Sequence, residues 1–300
     1  MSEDLDYGLQ GYGWESELLD LPAYLKRVGY DGGLAPTAET LRGLHRAHVA
    51  SIPFENLEIM LGRPIDLSLE VVQAKLVGRP RGGYCFEHNR LFAAVLERLG
   101  FEVTAMVGRV MLGSTRLRPT THALLHVRPP EQSRDEPGWL SDVGFGAGPM
   151  EPLRFVDGAE VFQDGWGFRL QRGRTVTTWD PPSVNWEMHQ TMEGGGWGLR
   201  HTFALNETFR LDFDVLNYYV STNPRSPFTA RPFTQKFTPE ALYVVDGTTL
   251  TVTRPDGSSE KRVLRPEELP GVLAEHFAIV LDEEEASRLI GFVRERVLEG

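Results

Sequence analysis

Arg81-Gly82-Gly83-Tyr84-Cys85-Phe86-Glu87-His88-Asn89 holds the one cysteine of a 300-residue chain. Two glycines run there into a helical pattern. Leu91, Phe92, Val95, Leu96 and Leu99 recur at the spacing of an amphipathic helix, and Gly100 follows as a stop. The pattern predicts a helix over Cys85 to Leu99 with Cys85 in its first turn. Unpaired N–H groups and the positive end of the helix dipole favour an anionic sulfur there. The glycines are expected to supply close backbone approach and positive φ. A buried structural thiol is the competing reading, since free cysteine is among the most buried residue types. The glycine-to-helix junction and the partners below favour a nucleophile.

Towards the N-terminus the chain reads as helices: Leu21 to Tyr30, Thr37 to Val49 with Thr37 as cap, and Leu69 to Val77 after Ser68 or Asp66. Towards the C-terminus the period changes. Phe101 to Leu112, Thr121 to Val127 and Trp139 to Phe145 read as strands. Several short strands follow from Phe162 to Leu205, punctuated by Asp164-Gly165, Arg172-Gly173 and Gly194-Gly195-Gly196. Such regular strands suggest a barrel or a strongly curved antiparallel sheet. The last third is mixed: a hairpin of Ala241 to Val245 and Thr249 to Thr253 around Asp246-Gly247, then helices over Pro266 to Phe277 and Glu283 to Leu298. Asp282 and Glu285 form a capping-box signature. The fold class is α+β.

A cysteine nucleophile needs a base and an orienting group, brought together by the fold. Of eight histidines, His88 lies one turn after Cys85 and reads as packed or solvated. His45 and His48 show helical spacing but have no third ligand in view, so no metal site is expected. His122 opens an apolar strand. Asp142 ends the next one, and a buried carboxylate there needs a partner. The set Cys85, His122 and Asp142 would let His122 take the thiol proton while Asp142 steadies the imidazolium.

The whole chain excludes other classes. Net charge is −11, against the basic footprint of a nucleic-acid binder. No apolar run approaches the ~20 residues of a membrane span. The opening Met1-Ser2-Glu3-Asp4-Leu5-Asp6 lacks signal-peptide order. A lone cysteine forms no internal disulfide, which fits a reducing, cytoplasmic setting.

These residues identify a resemblance. The sequence is similar to the arylamine N-acetyltransferases, whose nucleophile motif RGGxCxExN stands at Arg81 to Asn89. Thr121-His122 matches the family's histidine strand, and Asp142-Val143-Gly144-Phe145-Gly146 its DVGFG motif. Ile52-Pro53-Phe54-Glu55-Asn56 and Asn217-Tyr218-Tyr219-Val220-Ser221-Thr222-Asn223-Pro224 match two more. The blocks run in family order from Leu21 to Phe228, weaken beyond it, and leave the opening residues as an extension.

The resemblance implies three parts: a helical bundle over 1–100 carrying the cysteine, a β-barrel over 101–210 carrying histidine and aspartate, and a C-terminal α/β lid over 211–300. It implies ping-pong acetyl transfer from acetyl-coenzyme A, through an acetyl-cysteine, to arylamines, arylhydrazines or arylhydroxylamines. Acetyl-coenzyme A is then a substrate, with no permanently bound cofactor and no metal. Phe54, Val110, Phe145 and Tyr218 match positions lining the acceptor pocket. Gly144, Gly146 and Thr222 are assigned to coenzyme A. Small molecules are the expected partners, with no nucleic acid and no membrane; a homodimer stays open. Three rival readings remain: a macrolactam-forming amide synthase of the same fold, a cysteine hydrolase, and a non-catalytic module on the same scaffold.

Overall fold

The computed structural model describes residues 12–173, 184–192, 195–206 and 208–298. Met1–Asp6 and Gly194 of the triple-glycine turn lie outside the described residues.

Helices come first. α1 (Leu21–Val28) is capped by the Asp20 carboxylate, which accepts from the Ala23 N–H, and closes at Gly29 with φ 68°. α2 (Ala38–Ser51) is capped by Thr37, as its sequence predicts. β1 (Phe54–Glu55), α3 (Leu57–Met60) and α4 (Leu69–Leu76) lead to α5 (Cys85–Arg98). Every residue of α5 from Cys85 through Leu96 is buried. It is therefore the central helix of the core rather than the amphipathic one its spacing suggests.

The middle of the chain forms β2 (Glu102–Val110), β3 (His122–Arg128), β4 (Trp139–Ser141), β5 (Leu153–Arg154), β6 (Ala159–Gln163), β7 (Trp166–Gly173), β8 (Asn185–Thr191) and β9 (Trp197–Ala204). They make one eight-stranded sheet, in the order β5-β4-β3-β2-β9-β8-β7-β6. Its edge strands β5 and β6 come into contact, so the sheet curls into a nearly closed antiparallel barrel. Asp164-Gly165 turns β6 into β7 with φ of 50° and 83°, the left-handed pair of a two-residue hairpin. Arg172-Gly173 is the end of β7, not a turn. β4 stops at Ser141, short of the Phe145 expected, because the Asp142 carboxylate accepts the Gly144 N–H at 3.3 Å and turns the chain out of the ladder.

The last third holds α6 (Arg210–Thr222), β10 (Phe233–Phe237), β11 (Leu242–Asp246), β12 (Thr249–Thr253), β13 (Ser259–Val263), α7 (Leu269–Phe277) and α8 (Glu283–Val293). Its sheet has the order β1-β10-β11-β12-β13. β1 is thus an N-terminal strand in a C-terminal sheet, pairing Phe54 with Gln235. Phe54 also bridges to Gly83. A second apolar core, including Leu57, Met60, Val245, Leu273, Phe277 and Leu289, lies beneath this sheet. Among the described residues no helix is long and apolar enough to cross a membrane.

Candidate active site

The loop before Cys85 is held by backbone contact. A Cβ on Gly82 would lie 1.9 Å from the Pro53 carbonyl oxygen. Gly83 donates its N–H to that oxygen at 3.3 Å, and Glu55 donates its own to Gly83 O at 2.7 Å. Neither glycine has positive φ among the described residues, so their role is close approach and not the left-handed backbone the sequence suggested. Glu87 accepts from the Tyr84 N–H at 3.1 Å and from Lys75 Nζ at 2.7 Å, fixing the start of α5. Asn89 Nδ2 donates to Cys85 O at 2.9 Å and to Ala123 O at 2.8 Å. It therefore staples the first turn of α5 to the strand that opens with His122. The polar letters of the nucleophile motif are the fasteners of this junction.

His122 Nε2 lies 2.8 Å from Asp142 Oδ2, and both side chains are buried. Burial alone would depress the His122 pKa. The Asp142 charge and hydrogen bond outweigh it, Cys85 adds to them, and the result is pushed up to about 10. Burial works against the Asp142 carboxylate in the same way, yet His122 holds it below its ordinary value. The pair is an imidazolium–carboxylate at neutral pH. With Nε2 turned to Asp142, Nδ1 is the nitrogen left for the cavity. His201 Nε2 stands 3.8 Å from the same Asp142 oxygen, and neither of its ring nitrogens has a hydrogen-bond partner among the described residues. Burial lowers it to about 3, so it is neutral beside the charged pair. His122, Asp142 and His201 bring ligand atoms within 4.8 Å of one another, a grouping that could hold a metal ion. The 2.8 Å contact is already a full hydrogen bond, and a metal would have to displace its proton.

His88 faces away from this pair. Its Nε2 is 3.1 Å from Pro53 O, its Nδ1 is 2.8 Å from His48 Nε2, and His48 Nδ1 is 2.9 Å from the Tyr24 hydroxyl. With both rings neutral, one proton arrangement serves all three contacts. Pro53 O only accepts, so His88 carries its proton on Nε2; His48 donates from Nε2, and Tyr24 donates to His48 Nδ1. The chain ends on the carbonyl that supports Gly83. Burial favours the neutral rings by lowering His88 to about 4 and His48 well below its ordinary value.

His45 is lowered to about 4 by burial as well. In the unfolded chain these rings take up protons near pH 6.5. Below that pH the unfolded state binds more protons than the folded one, so stability falls as pH falls. The urea midpoint is expected to drop between pH 7 and pH 5, by an amount worth roughly 1–3 kcal/mol. A midpoint unchanged over that range would show that the rings titrate alike in both states.

Cys85 and His122 share the wall of a cavity of about 680 Å³. Phe54, Val110, Gly144 and Phe145 stand on the same wall. Gly144 packs on Cys85 itself, since a Cβ there would meet Cys85 Cα at 2.8 Å. Asn56 shapes the far side: its Nδ2 donates to Phe228 O at 2.8 Å and Arg231 O at 2.9 Å, and its Oδ1 accepts from the Phe233 N–H at 2.7 Å.

Three sequence-assigned residues are not on this wall. Tyr218 belongs to an outer stripe of α6 with Leu211 and Val215, and is 72% exposed. One residue is about 100° of helix, so Tyr219 faces the cavity instead. Thr222 is exposed, and its hydroxyl donates back to Tyr218 O. Gly146, at φ 82°, packs beneath Phe54 and Gln235. Tyr219, Phe228 and Arg200 are cavity residues that the sequence reading did not name.

A family model for N-acetyltransferases matches residues 37–286. The chain belongs to the arylamine N-acetyltransferase family. It is an acyltransferase by that membership. The arylamine N-acetyltransferase of Mycobacterium tuberculosis is 35% identical over 266 residues, 87% of this chain and 89% of that one. The Nocardia farcinica arylamine N-acetyltransferase structure superposes with a TM-score of 0.88 at 46% identity, covering 95% of this chain and 98% of that one. The Mycobacterium marinum enzyme solved in complex with CoA gives a TM-score of 0.83 at 31% identity, over 92% and 99% of the two chains. The helix, barrel and mixed-sheet order of this N-acetyltransferase is therefore that of its relatives.

Proposed function

We propose that this enzyme moves an acetyl group from acetyl-coenzyme A to the nitrogen of arylamines, arylhydrazines or arylhydroxylamines, through an acetyl group held on Cys85. The observation that carries this reading is the buried His122–Asp142 hydrogen bond beside Cys85 on one cavity wall. In the first half-reaction the Cys85 sulfur attacks the thioester carbonyl. The carbon–sulfur bond to coenzyme A breaks, and His122 gives its proton to the leaving thiolate. In the second, the amine nitrogen attacks the acetyl-cysteine carbonyl. The bond to Cys85 breaks, the amine proton passes to His122, and the thiolate–imidazolium pair is restored. The Cys85 N–H, at the first turn of α5, is the donor this reading gives to the developing oxyanion. A CoA-bound relative and the family name support the substrates.

The test is intact mass. Mixed with acetyl-coenzyme A, the protein should gain one acetyl group on the Cys85 peptide. An arylamine should then erase it and yield the N-acetylarylamine. No gain from acetyl-coenzyme A while Cys85 still alkylates would remove this donor, and would favour an amide synthase or a hydrolase instead.

A further inference from the structure

One cation on the cavity wall has no carboxylate partner among the described residues. Arg200, on β9, lines the cavity together with Cys85, His122 and Phe145. Its guanidinium carbon sits 4.5 Å above the Phe145 ring, and that ring is 5.1 Å from His122. Its one side-chain hydrogen bond among the described residues goes from Nη2 to Ala147 O at 3.2 Å, and no carboxylate pairs with it there. A guanidinium has five N–H donors in a planar fork suited to a carboxylate. Most of that fork is unused. Burial lowers its pKa to about 10, with Asp142 opposing, so it stays charged at neutral pH.

The other arginines on the wall differ. Arg118, Arg225 and Arg231 are exposed, and Arg231 is paired with Asp246. Arg200 is the less exposed one, and it lies against the ring that touches His122.

We propose that Arg200 selects acceptors that carry an anionic substituent, a carboxylate above all, on the aromatic ring opposite the reacting nitrogen. An amine approaching Cys85 beside His122 would lay its ring against Phe145 and bring the carboxylate to the free edge of the guanidinium. The acetyl group on Cys85 has no charge to occupy Arg200. The phosphates of the donor are held away from the thioester by the long pantetheine arm. The inference rests on the proposed acetyl transfer and narrows its acceptor class to aminobenzoate-like amines.

The experiment compares 4-aminobenzoate with its methyl ester, first as acceptors and then as equilibrium ligands. The wild-type enzyme should have the higher kcat/KM for the acid, and added salt should narrow the gap. Arg200→Gln should lower the acid-to-ester ratio by about tenfold to a hundredfold, the span expected for a hydrogen bond to a charged group. Arg200→Lys should recover part of it. An equal ratio in wild type and Arg200→Gln overturns the proposal. So does a higher acetyl-coenzyme A requirement for Cys85 acetylation with the ratio unmoved, which would assign Arg200 to the donor. The salt-dependent preference of the wild type needs no variant, and decides the matter if Arg200→Gln does not fold. If Cys85 takes no acetyl group at all, the proposed function fails; tighter binding of the acid than the ester, lost in Arg200→Gln, still reads this inference on its own.

Discussion

Asp142→Asn is expected to lower kcat by on the order of 10³- to 10⁴-fold, the loss seen when the orienting carboxylate of a nucleophile–histidine–carboxylate set becomes an amide. Asp142 is the largest cause holding His122 up at about 10. Without its charge, burial dominates and the His122 pKa falls. A neutral ring then has no proton for the departing thiolate. The amide brings a second fault, because its NH₂ end donates where Oδ2 accepted, and a donor facing Nε2 selects the wrong tautomer. Stability should move as well. The raised His122 contributes fully below pH 6.5 and loses its contribution as pH rises through about 10. The depressed Asp142 contributes above its ordinary range near pH 4 and loses it as pH falls through its lower folded value. Both effects sit in the window from roughly pH 4 to 10. Steady-state kinetics and the alkylation rate of Cys85 against pH, on a variant with wild-type circular dichroism, measure this. A variant within tenfold of wild type would mean that Asp142 neither charges nor orients His122.

What the sequence made legible was local chemistry and order. Cys85 at a glycine-to-helix junction, His122 at the head of a strand and Asp142 in a glycine-rich strand exit were visible because each stands in a short motif with a physical signature. Helices before strands before a mixture followed from the change in hydrophobic period. Where the reading went astray, a long-range partner had overridden the local pattern. Glu87, His88, Asn89 and Arg90 look like the wet face of an amphipathic helix, yet all four are buried and hydrogen-bonded. Tyr218 rests on a motif match, which fixes a position along the chain but not the face of α6 that it takes. Leu211 and Val215 are 54% and 71% exposed, which blurs the period that would have phased the helix. Arg200 belongs to no motif, and its meaning comes only from what surrounds it.

Glu285 shows the same division, and with it the second large effect. As a capping residue it was readable: Asp282 and Glu285 exchange N–H bonds at 2.8 and 3.2 Å at the start of α8. Its other partners lie more than two hundred residues away. Glu285 pairs with Arg63 at 2.7 Å and Arg79 at 2.9 Å, and stands 3.6 Å from Arg81. Arg81 is fully buried, and also meets Glu55 at 2.9 Å and Glu58 at 2.8 Å. Lys75 meets Glu87 at 2.7 Å and Glu55 at 3.9 Å. Four cations (Arg63, Lys75, Arg79, Arg81) thus balance four carboxylates (Glu55, Glu58, Glu87, Glu285), and the cluster ties α3, α4, the Cys85 loop and α8 together. Arg81→Met keeps the length of the side chain and removes its charge. It should destabilise the fold by about 3–5 kcal/mol, because Glu55 and Glu58 remain buried without their main counterion. The cost is mostly uncompensated charge. It should therefore shrink towards pH 5, as the Glu55 pKa rises and the carboxyl takes up a proton, and Glu55→Gln on the Arg81→Met background should restore part of the loss. Lost packing would respond to neither change. Urea unfolding of the wild type, the single variant and the double variant at pH 7.5 and pH 5 separates the two causes, and a penalty identical at both pH values and in both variants would make Arg81 a spacer rather than the charge that holds the Cys85 loop to the C-terminal helix.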